Sequence, residues 1–147
     1  MRSPAEHAPV VVVDSDDESR TFIVSCLERV NLRNPVVGVG DAEEAQVLLV
    51  AEGFRPALVV LDLHLETQSG LEILRALRAA PHSVGVPVVM LTRSEQEKEI
   101  EEAFNLGVFA YLVKPVGFTA LREVVTQMGL PWTLLVAGEK AEELETG

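Results

Sequence analysis

The sequence predicts a single α/β domain built on a doubly wound sheet of five parallel strands in the order 2-1-3-4-5. Five short apolar runs rich in β-branched residues recur along the chain, and amphipathic helical patterns alternate with them. The runs are continuously apolar, which indicates strands covered on both faces and is typical of parallel sheets flanked by helices. Right-handed crossovers leave few topologies for such a chain, and 2-1-3-4-5 is the order we expect.

The predicted strands are the five apolar runs. They cover Val10–Val13, Val36–Val39, Ala57–Leu61, Val86–Leu91 and Val108–Val113. Each run is bounded by polar, glycine or proline residues, which favours strands over segments of buried helix.

Each predicted helix carries an apolar stripe at helical spacing, which we expect to face the core. The stripes comprise Phe22, Ile23, Cys26, Leu27 and Val30, then Ala45, Leu48 and Leu49, then Leu71, Leu74 and Leu77, then Ile100, Ala103 and Phe104, and finally Leu121, Val124, Val125 and Met128. Asp41, three residues before Glu44, resembles a helix start at which a side-chain oxygen accepts hydrogen bonds from free backbone N–H groups, so we expect it to cap the second helix. Gly53 and Gly107 stand where helices are expected to stop.

Charge and composition exclude several classes of protein. With 12 Lys and Arg against 23 Asp and Glu, the chain of 147 residues has a net charge of −11. Such a surface repels a phosphate backbone, so we expect no nucleic-acid partner. The single cysteine excludes an intrachain disulfide and a cysteine-based zinc site. No apolar run is long enough to span a membrane and no secretory signal is present, so we expect a cytoplasmic protein without membrane contact.

Polar residues follow four of the predicted strands. Asp14 follows the first strand, Asp62 the third, Thr92 the fourth and Lys114 the fifth. Ligands of doubly wound sheets bind beyond the carboxyl ends of the strands, so we expect these four side chains to form one site. Each residue has a structural interpretation by itself, such as a helix cap for Thr92 or a surface position for Lys114. Their joint placement favours a site.

These residue types suit phosphoryl chemistry. Magnesium prefers carboxylate and carbonyl oxygens and bridges protein to phosphate. A carboxylate can attack phosphorus in line, while a cation, a lysine and a hydroxyl neutralise charge on the phosphoryl oxygens. The expected product is an aspartyl phosphate.

Four segments carry a resemblance to a known family: VVVVDSDDESR, ALVVLDLHLETQSGLEIL, VPVVMLTR and AYLVKP. Over about residues 9 to 128 the chain resembles the receiver domain of two-component response regulators, whose fold is CheY-like and flavodoxin-like. The resemblance implies that Asp62 is the phosphoacceptor, that Thr92 is the switch hydroxyl that follows the phosphoryl group, and that Lys114 is the counter-ion. It also implies an inward-moving switch aromatic at Tyr111 and a cis peptide bond before Pro115. Gly70 matches the loop glycine of the family.

The resemblance implies a Mg²⁺ site made by Asp14, Asp62 and the backbone carbonyl of His64. Ser15 departs from the family, which has a second acid there that ligates the cation directly. We therefore expect metal affinity to be weaker by roughly tenfold or more, with the Ser15 hydroxyl or the Asp16 carboxylate as candidate substitutes. Two further departures are Glu66, where proline is common, and Arg93, where a small residue usually follows the threonine. Arg93 would either restrict access of the phosphodonor or pair with the phosphoryl group.

The ends of the chain are predicted to lie outside the receiver core. Residues 1–8 are expected to be disordered, and residues 139–147 form an acidic, solvated tail. Residues 129–138 are apolar, and we expect a dimer contact there; folding back onto the same domain is the alternative. The residues expected at this contact are Leu130, Trp132, Leu134 and Leu135. This ending resembles that of single-domain response regulators that partner bacterial phytochrome-type sensor kinases.

The predicted function is that of a stand-alone response regulator. It would accept a phosphoryl group from a sensor histidine kinase and signal by protein–protein contact. It would not be an enzyme beyond Mg²⁺-dependent self-phosphorylation and autodephosphorylation. One alternative is a phosphorylation-independent pseudo-receiver whose metal site Ser15 has impaired. Another is a small flavodoxin-like enzyme or nucleotide binder, which is disfavoured because acids follow the first strand in place of phosphate-cradling glycines.

Overall fold

The computed structural model describes residues 8–30, 34–51, 53–93 and 96–128. Within them, strands and helices alternate along the chain. The strands are β1 (Val10–Val13), β2 (Val36–Val39), β3 (Leu58–Asp62), β4 (Val88–Thr92) and β5 (Ala110–Val113). The helices are α1 (Asp17–Arg29), α2 (Ala42–Leu49), α3 (Gly70–Ala79), α4 (Glu97–Asn105) and α5 (Phe118–Met128).

The five strands form one parallel sheet in the order β2-β1-β3-β4-β5, which confirms the predicted topology. The last three strands begin one or two residues later than predicted. Pro87, directly before β4, has no N–H to give to a ladder. β3 and β4 extend to include Asp62 and Thr92, so these polar residues are the last residues of their strands.

The core lies on both sides of the sheet. Helices α2, α3 and α4 pack on one face, and α1 and α5 pack on the other. The three central strands are buried throughout, as their continuous hydrophobicity predicted. The edge strands differ, since Val37 of β2 and Val113 of β5 are exposed. An edge strand has a neighbour on one side alone, so its side chains are covered less completely.

Two aromatic residues of the predicted core stripes lie at the surface instead. Phe22 of α1 is 49% exposed and Phe104 of α4 is 50% exposed. Phe22 lines a groove with Pro115 of the β5–α5 loop. The ring of Phe104 packs against Tyr111, with centroids 6.4 Å apart. Cys26 is buried as predicted.

The helix boundaries follow local chemistry. Asp41 caps α2, as predicted, and the structure shows that its side chain accepts a hydrogen bond from the N–H of Glu44 at 3.2 Å. Gly107 directly follows the C-cap of α4 with φ of +79°, a conformation that disfavours any other residue. Gly70 is the first residue of α3, whereas the resemblance placed it in a loop. The close approach of the Asp62 backbone explains why this residue is glycine. A Cβ at position 70 would lie 2.3 Å from the backbone oxygen of Asp62.

No helix in the described ranges is long and apolar enough to cross a membrane. The predicted dimer-contact residues Leu130, Trp132, Leu134 and Leu135 lie outside the described residues, as do residues 1–7 and the tail 139–147. The predictions for these segments stay predictions.

Candidate functional site

The carboxyl ends of four strands bring polar side chains to one edge of the sheet. Asp14 directly follows β1, Asp62 and Thr92 end β3 and β4, and Lys114 directly follows β5. All are largely removed from solvent: Asp14 is 1% exposed, Asp62 7% and Thr92 0%. A cleft of about 370 Å³, lined by Asp14, Asp62 and Lys114 among others, opens at this edge. The structure therefore brings the carboxylates and the lysine of the predicted site to one cleft, with Thr92 at the same edge.

Lys114 bridges the two buried carboxylates. Its Nζ donates to Asp14 Oδ2 at 2.8 Å and to Asp62 Oδ2 at 2.7 Å. The lysine side chain is only 7% exposed, so the three charges interact with little solvent between them. One ammonium faces two carboxylates, which leaves one negative charge unbalanced. The Lys114–Pro115 peptide bond is cis, the isomer that the resemblance implies.

Asp14 accepts further hydrogen bonds from residues at the start of α1, which the sequence analysis did not predict. Its Oδ1 accepts from the backbone N–H of Asp16 at 3.0 Å, and its Oδ2 accepts from Ser19 Oγ at 2.6 Å. Its backbone carbonyl accepts from Arg20 Nη1 at 2.8 Å. Ser19 and Arg20 were not identified from the sequence. They could have been found from their position in the first turn of α1, because this helix begins four residues after the end of β1.

The pKa values of the two carboxylates in the site are shifted in opposite directions. Burial raises the pKa of Asp14, but the hydrogen bonds from Lys114, Ser19 and Asp16 outweigh it, so its pKa lies below the ordinary value. Burial raises the pKa of Asp62 above its ordinary value, and the opposing hydrogen bonds from Lys114 and His64 do not cancel that effect. Burial lowers the pKa of Lys114, but its bonds to both carboxylates raise it further. Asp62 is therefore the more basic carboxylate, which suits it to act as a nucleophile.

We expect Asp62→Asn to stabilise the fold at neutral pH. A carboxylate whose pKa is raised by folding binds its proton more tightly in the native state, so its ionised form opposes folding above that pKa. Removing the charge should raise stability by about 1 kcal/mol and the melting temperature by about 2 to 4 °C at pH 7. The advantage should disappear as the pH falls toward about 4, where the carboxyl is protonated. Thermal melts between these pH values measure it.

Asp14→Asn is the matched control, because its pKa is shifted the other way. A lowered pKa means that the ionised Asp14 contributes stability above its unfolded pKa and loses it as pH falls through the folded pKa. Asp14→Asn should therefore lower the melting temperature at pH 7. Equal effects of the two substitutions would contradict the different roles of the two carboxylates.

His64 follows Asp62 by two residues, and its imidazole reaches α4. Its backbone N–H donates to Asp62 Oδ1 at 3.0 Å. Its imidazole Nδ1 lies 3.3 Å from Thr92 Oγ1, and its Nε2 lies 3.4 Å from Glu99 Oε2. The sequence predicted a role for the backbone carbonyl of His64, and the imidazole contacts add a connection from the end of β4 to α4. Tyr111, the predicted switch aromatic, is half-buried on β5 beside α4.

Ser15, Glu66 and Arg93, the residues that depart from the resemblance, line the same cleft. Ser15 Oγ accepts a hydrogen bond from the backbone N–H of Glu66 at 2.9 Å, which ties the loop after β1 to the loop after β3. Asp16 serves as the N-cap of α1, the structural alternative to metal ligation. Its Oδ2 lies 3.6 Å from Arg93 Nη2, and Arg93 is 73% exposed at the mouth of the cleft.

The oxygen atoms of the site suit a hard divalent cation. Two buried carboxylates, Asp14 and Asp62, share one edge with the loop that carries the carbonyl of His64, and magnesium prefers such ligands. In the described part of the chain, no group of three or more His, Cys, Asp or Glu side chains gathers as a metal site. The oxygens of Asp14, Asp62 and the His64 carbonyl fit a divalent cation, with one acid fewer than the resemblance implies because position 15 is Ser.

Comparison with known proteins agrees with this geometry. The family model for the response regulator receiver domain matches residues 10–126. Two solved bacteriophytochrome response regulators are each 34% identical to this chain. RtBRR has a TM-score of 0.75, covering 86% of this chain and 80% of that one. AtBRR has a TM-score of 0.71, covering 86% and 95%. The probable methanogenesis regulatory protein FilR2 of Methanothrix harundinacea (strain 6Ac) is 27% identical over 127 residues, which are 84% of this chain and 82% of FilR2. Other curated relatives are longer, and the chain spans 29% to 44% of their length.

Proposed function

Since the chain belongs to the response regulator receiver domain family, we propose that it accepts a phosphoryl group on Asp62 in a two-component phosphorelay. Receiver domains are signalling proteins rather than classical enzymes. The observation that carries the proposal is the buried bridge of Lys114 Nζ between Asp62 and Asp14 at the carboxyl edge of the sheet. This bridge places a basic carboxylate beside a fixed positive charge, which is what an anionic acyl phosphate requires.

The proposed donor is a phosphohistidine of a sensor kinase. A carboxylate oxygen of Asp62 attacks phosphorus, the new P–O bond forms as the P–N bond breaks, and the departing histidine takes up a proton. Lys114 then neutralises the added charge, and the Thr92 hydroxyl donates to a phosphoryl oxygen. Asp14, Asp62 and the His64 carbonyl would hold Mg²⁺, which, when bound, supplies further neutralisation of the phosphoryl oxygens.

The partner is proposed from the comparisons and the surface. Similarity to two bacteriophytochrome response regulators supports a phytochrome-type sensor kinase. Phe104 and Val113, which are 50% and 40% exposed, flank Tyr111 on the α4–β5 face and support output by protein–protein contact. The net charge of −11 supports the absence of a nucleic-acid partner. A homodimer and a cytoplasmic location remain predictions from the sequence.

Intact-mass measurement tests the proposal. The full chain is incubated with Mg²⁺ and acetyl phosphate, a small phosphodonor. We expect one phosphoryl-sized increment on the wild type and complete loss of it in Asp62→Asn. Asp17→Asn is the matched control, because it removes an aspartate whose side chain is 87% exposed, and it should label like the wild type.

One observation favours a second candidate, the phosphorylation-independent pseudo-receiver. The hydroxyl of Ser15, which stands where the family has an acid, is used to hold the backbone of Glu66. If the wild type gains no increment at any Mg²⁺ concentration, the proposal of phosphoryl acceptance is wrong and the pseudo-receiver is supported.

Ser15→Asp should raise Mg²⁺ affinity by roughly tenfold or more, because it adds a carboxylate at the rim of the cleft. Calorimetric titration with Mg²⁺ measures the change. Ser15→Asn adds an oxygen without a charge and should give a smaller gain. An unchanged dissociation constant in Ser15→Asp would show that the missing acid does not limit metal binding.

A further inference from the structure

Arg20 is a largely buried cation that contacts the backbone of the site residue Asp14. Its guanidinium donates from Nη1 to the backbone carbonyl of Asp14 at 2.8 Å and from Nη2 to Asp17 Oδ1 at 2.5 Å. Its side chain is 22% exposed, whereas the Asp17 carboxylate is 87% exposed. Because an exposed ion pair contributes little, the contact with Asp14 is the one that fixes the guanidinium.

Two glycines make room for this side chain. A Cβ at Gly40 would lie 2.4 Å from Arg20 Nη1, and the three atoms nearest to it all belong to Arg20. A Cβ at Gly38 would lie 3.2 Å from the Cγ and Cδ of Arg20. The arginine side chain therefore runs along β2 and past its end, over the two positions at which Gly38 and Gly40 have no side chain. Neither glycine has a positive φ, so backbone conformation does not require glycine at these positions.

The carbonyl that Arg20 binds lies just beyond the paired part of β1. The pairing of β1 with both of its neighbours ends at Val13, and the N–H of Asp14 makes one further bond to the Val39 carbonyl at 3.1 Å. The Arg20 bond thus fixes the peptide plane between Asp14 and Ser15. That plane sets the direction of the Asp14 carboxylate and the position of the Ser15 hydroxyl.

We propose that Arg20 is a positioning residue of the phosphorylation site. By holding the Asp14 carbonyl, it directs the Asp14 carboxylate toward Lys114 and toward a bound divalent cation. This role rests on the proposed function, because the cation belongs to it. Gly38 and Gly40 are part of the same device, since they leave the space that the arginine occupies.

Arg20→Met tests the role through Mg²⁺ binding to the full chain, measured by calorimetric titration. We expect the Mg²⁺ dissociation constant to rise about tenfold, the size of effect typical of residues that orient metal ligands. Arg20→Lys should give a smaller rise, because one ammonium can reach the carbonyl. Asp17→Asn, which removes the exposed partner alone, should bind Mg²⁺ like the wild type.

Gly40→Ala gives an independent test. Its methyl group displaces the guanidinium, so it should raise the dissociation constant as Arg20→Met does. In the Arg20→Met background the same methyl group meets a more flexible, uncharged side chain, and Gly40→Ala should add little. Non-additivity of this kind is expected only where the two residues act through one contact.

Three outcomes would overturn the assignment: an unchanged dissociation constant in Arg20→Met, an equal effect of Gly40→Ala in both backgrounds, or no Mg²⁺ binding by the wild type. A lower melting temperature by itself does not support it, since loss of packing alone would produce that. The titration involves no phosphoryl transfer, so failure of Asp62 to accept a phosphoryl group is detected separately, by intact mass.

Discussion

Lys114→Met should destabilise the fold by about 3 to 5 kcal/mol at neutral pH. The lysine is the shared partner of Asp14 and Asp62, and all three side chains are almost completely removed from solvent. Removing the ammonium leaves two carboxylates facing one another without a counter-ion. Methionine fills a similar volume, so the loss reports the charge and not a cavity.

Two further measurements isolate the electrostatic cause. In the double variant Lys114→Met with Asp62→Asn, a single buried carboxylate remains, and most of the lost stability should return. Without the lysine, both carboxylates bind protons more readily in the native state, so the deficit of Lys114→Met should shrink as pH is lowered toward about 5. Urea unfolding at the two pH values measures both effects.

Lys98→Met on α4 is the control, because Lys98 is exposed and its replacement should change stability by about 0.5 kcal/mol or less. A loss below about 1 kcal/mol in Lys114→Met would contradict the bridge. So would a double variant that is less stable than Lys114→Met alone.

The sequence predicted the strands because the signals that specify each strand are local in the chain. β-branched apolar runs specify the central strands, and right-handed crossovers leave few strand orders, of which the expected order 2-1-3-4-5 is the one observed. Phe22 and Phe104 were assigned to the core because helical spacing places them at the border of an apolar stripe. Whether such a border residue is covered depends on the neighbouring element, which periodicity does not describe.

The site was predictable to the extent that it follows from strand ends. Asp14, Asp62, Thr92 and Lys114 were identified because parallel strands bring their carboxyl ends to one edge. The sharing of Lys114 between two carboxylates depends on side-chain directions and could not be predicted. Arg20 was missed for a similar reason, since it acts on a backbone carbonyl and has no residue-type pattern.

Gly70→Ala should destabilise the protein by about 3 kcal/mol, at the upper end of the cost of overpacking. The added Cβ would lie 2.3 Å from the carbonyl oxygen of Asp62 and 3.1 Å from the Asp62 carbonyl carbon and from Leu63 Cα. All three are backbone atoms at the end of a buried strand, so no side-chain rotation relieves the overlap. Alanine is the better helix former by about 1 kcal/mol, and this gain is smaller than the steric cost.

The overlap must be relieved by moving either the start of α3 or the end of β3, and the two movements have different consequences. Moving α3 breaks the hydrogen bond from the Gly70 N–H to the Leu63 carbonyl, whereas moving β3 displaces the backbone of Asp62, the proposed phosphoacceptor. Thermal melts should show a fall of about 6 to 12 °C, and acetyl phosphate labelling reports whether Asp62 has moved. Gly85→Ala is the control, since its Cβ would meet only the side chain of Arg55 at 3.4 Å. A Gly70→Ala variant as stable as Gly85→Ala would mean that α3 and β3 are not in the close contact described, and that glycine at position 70 is not required by the site.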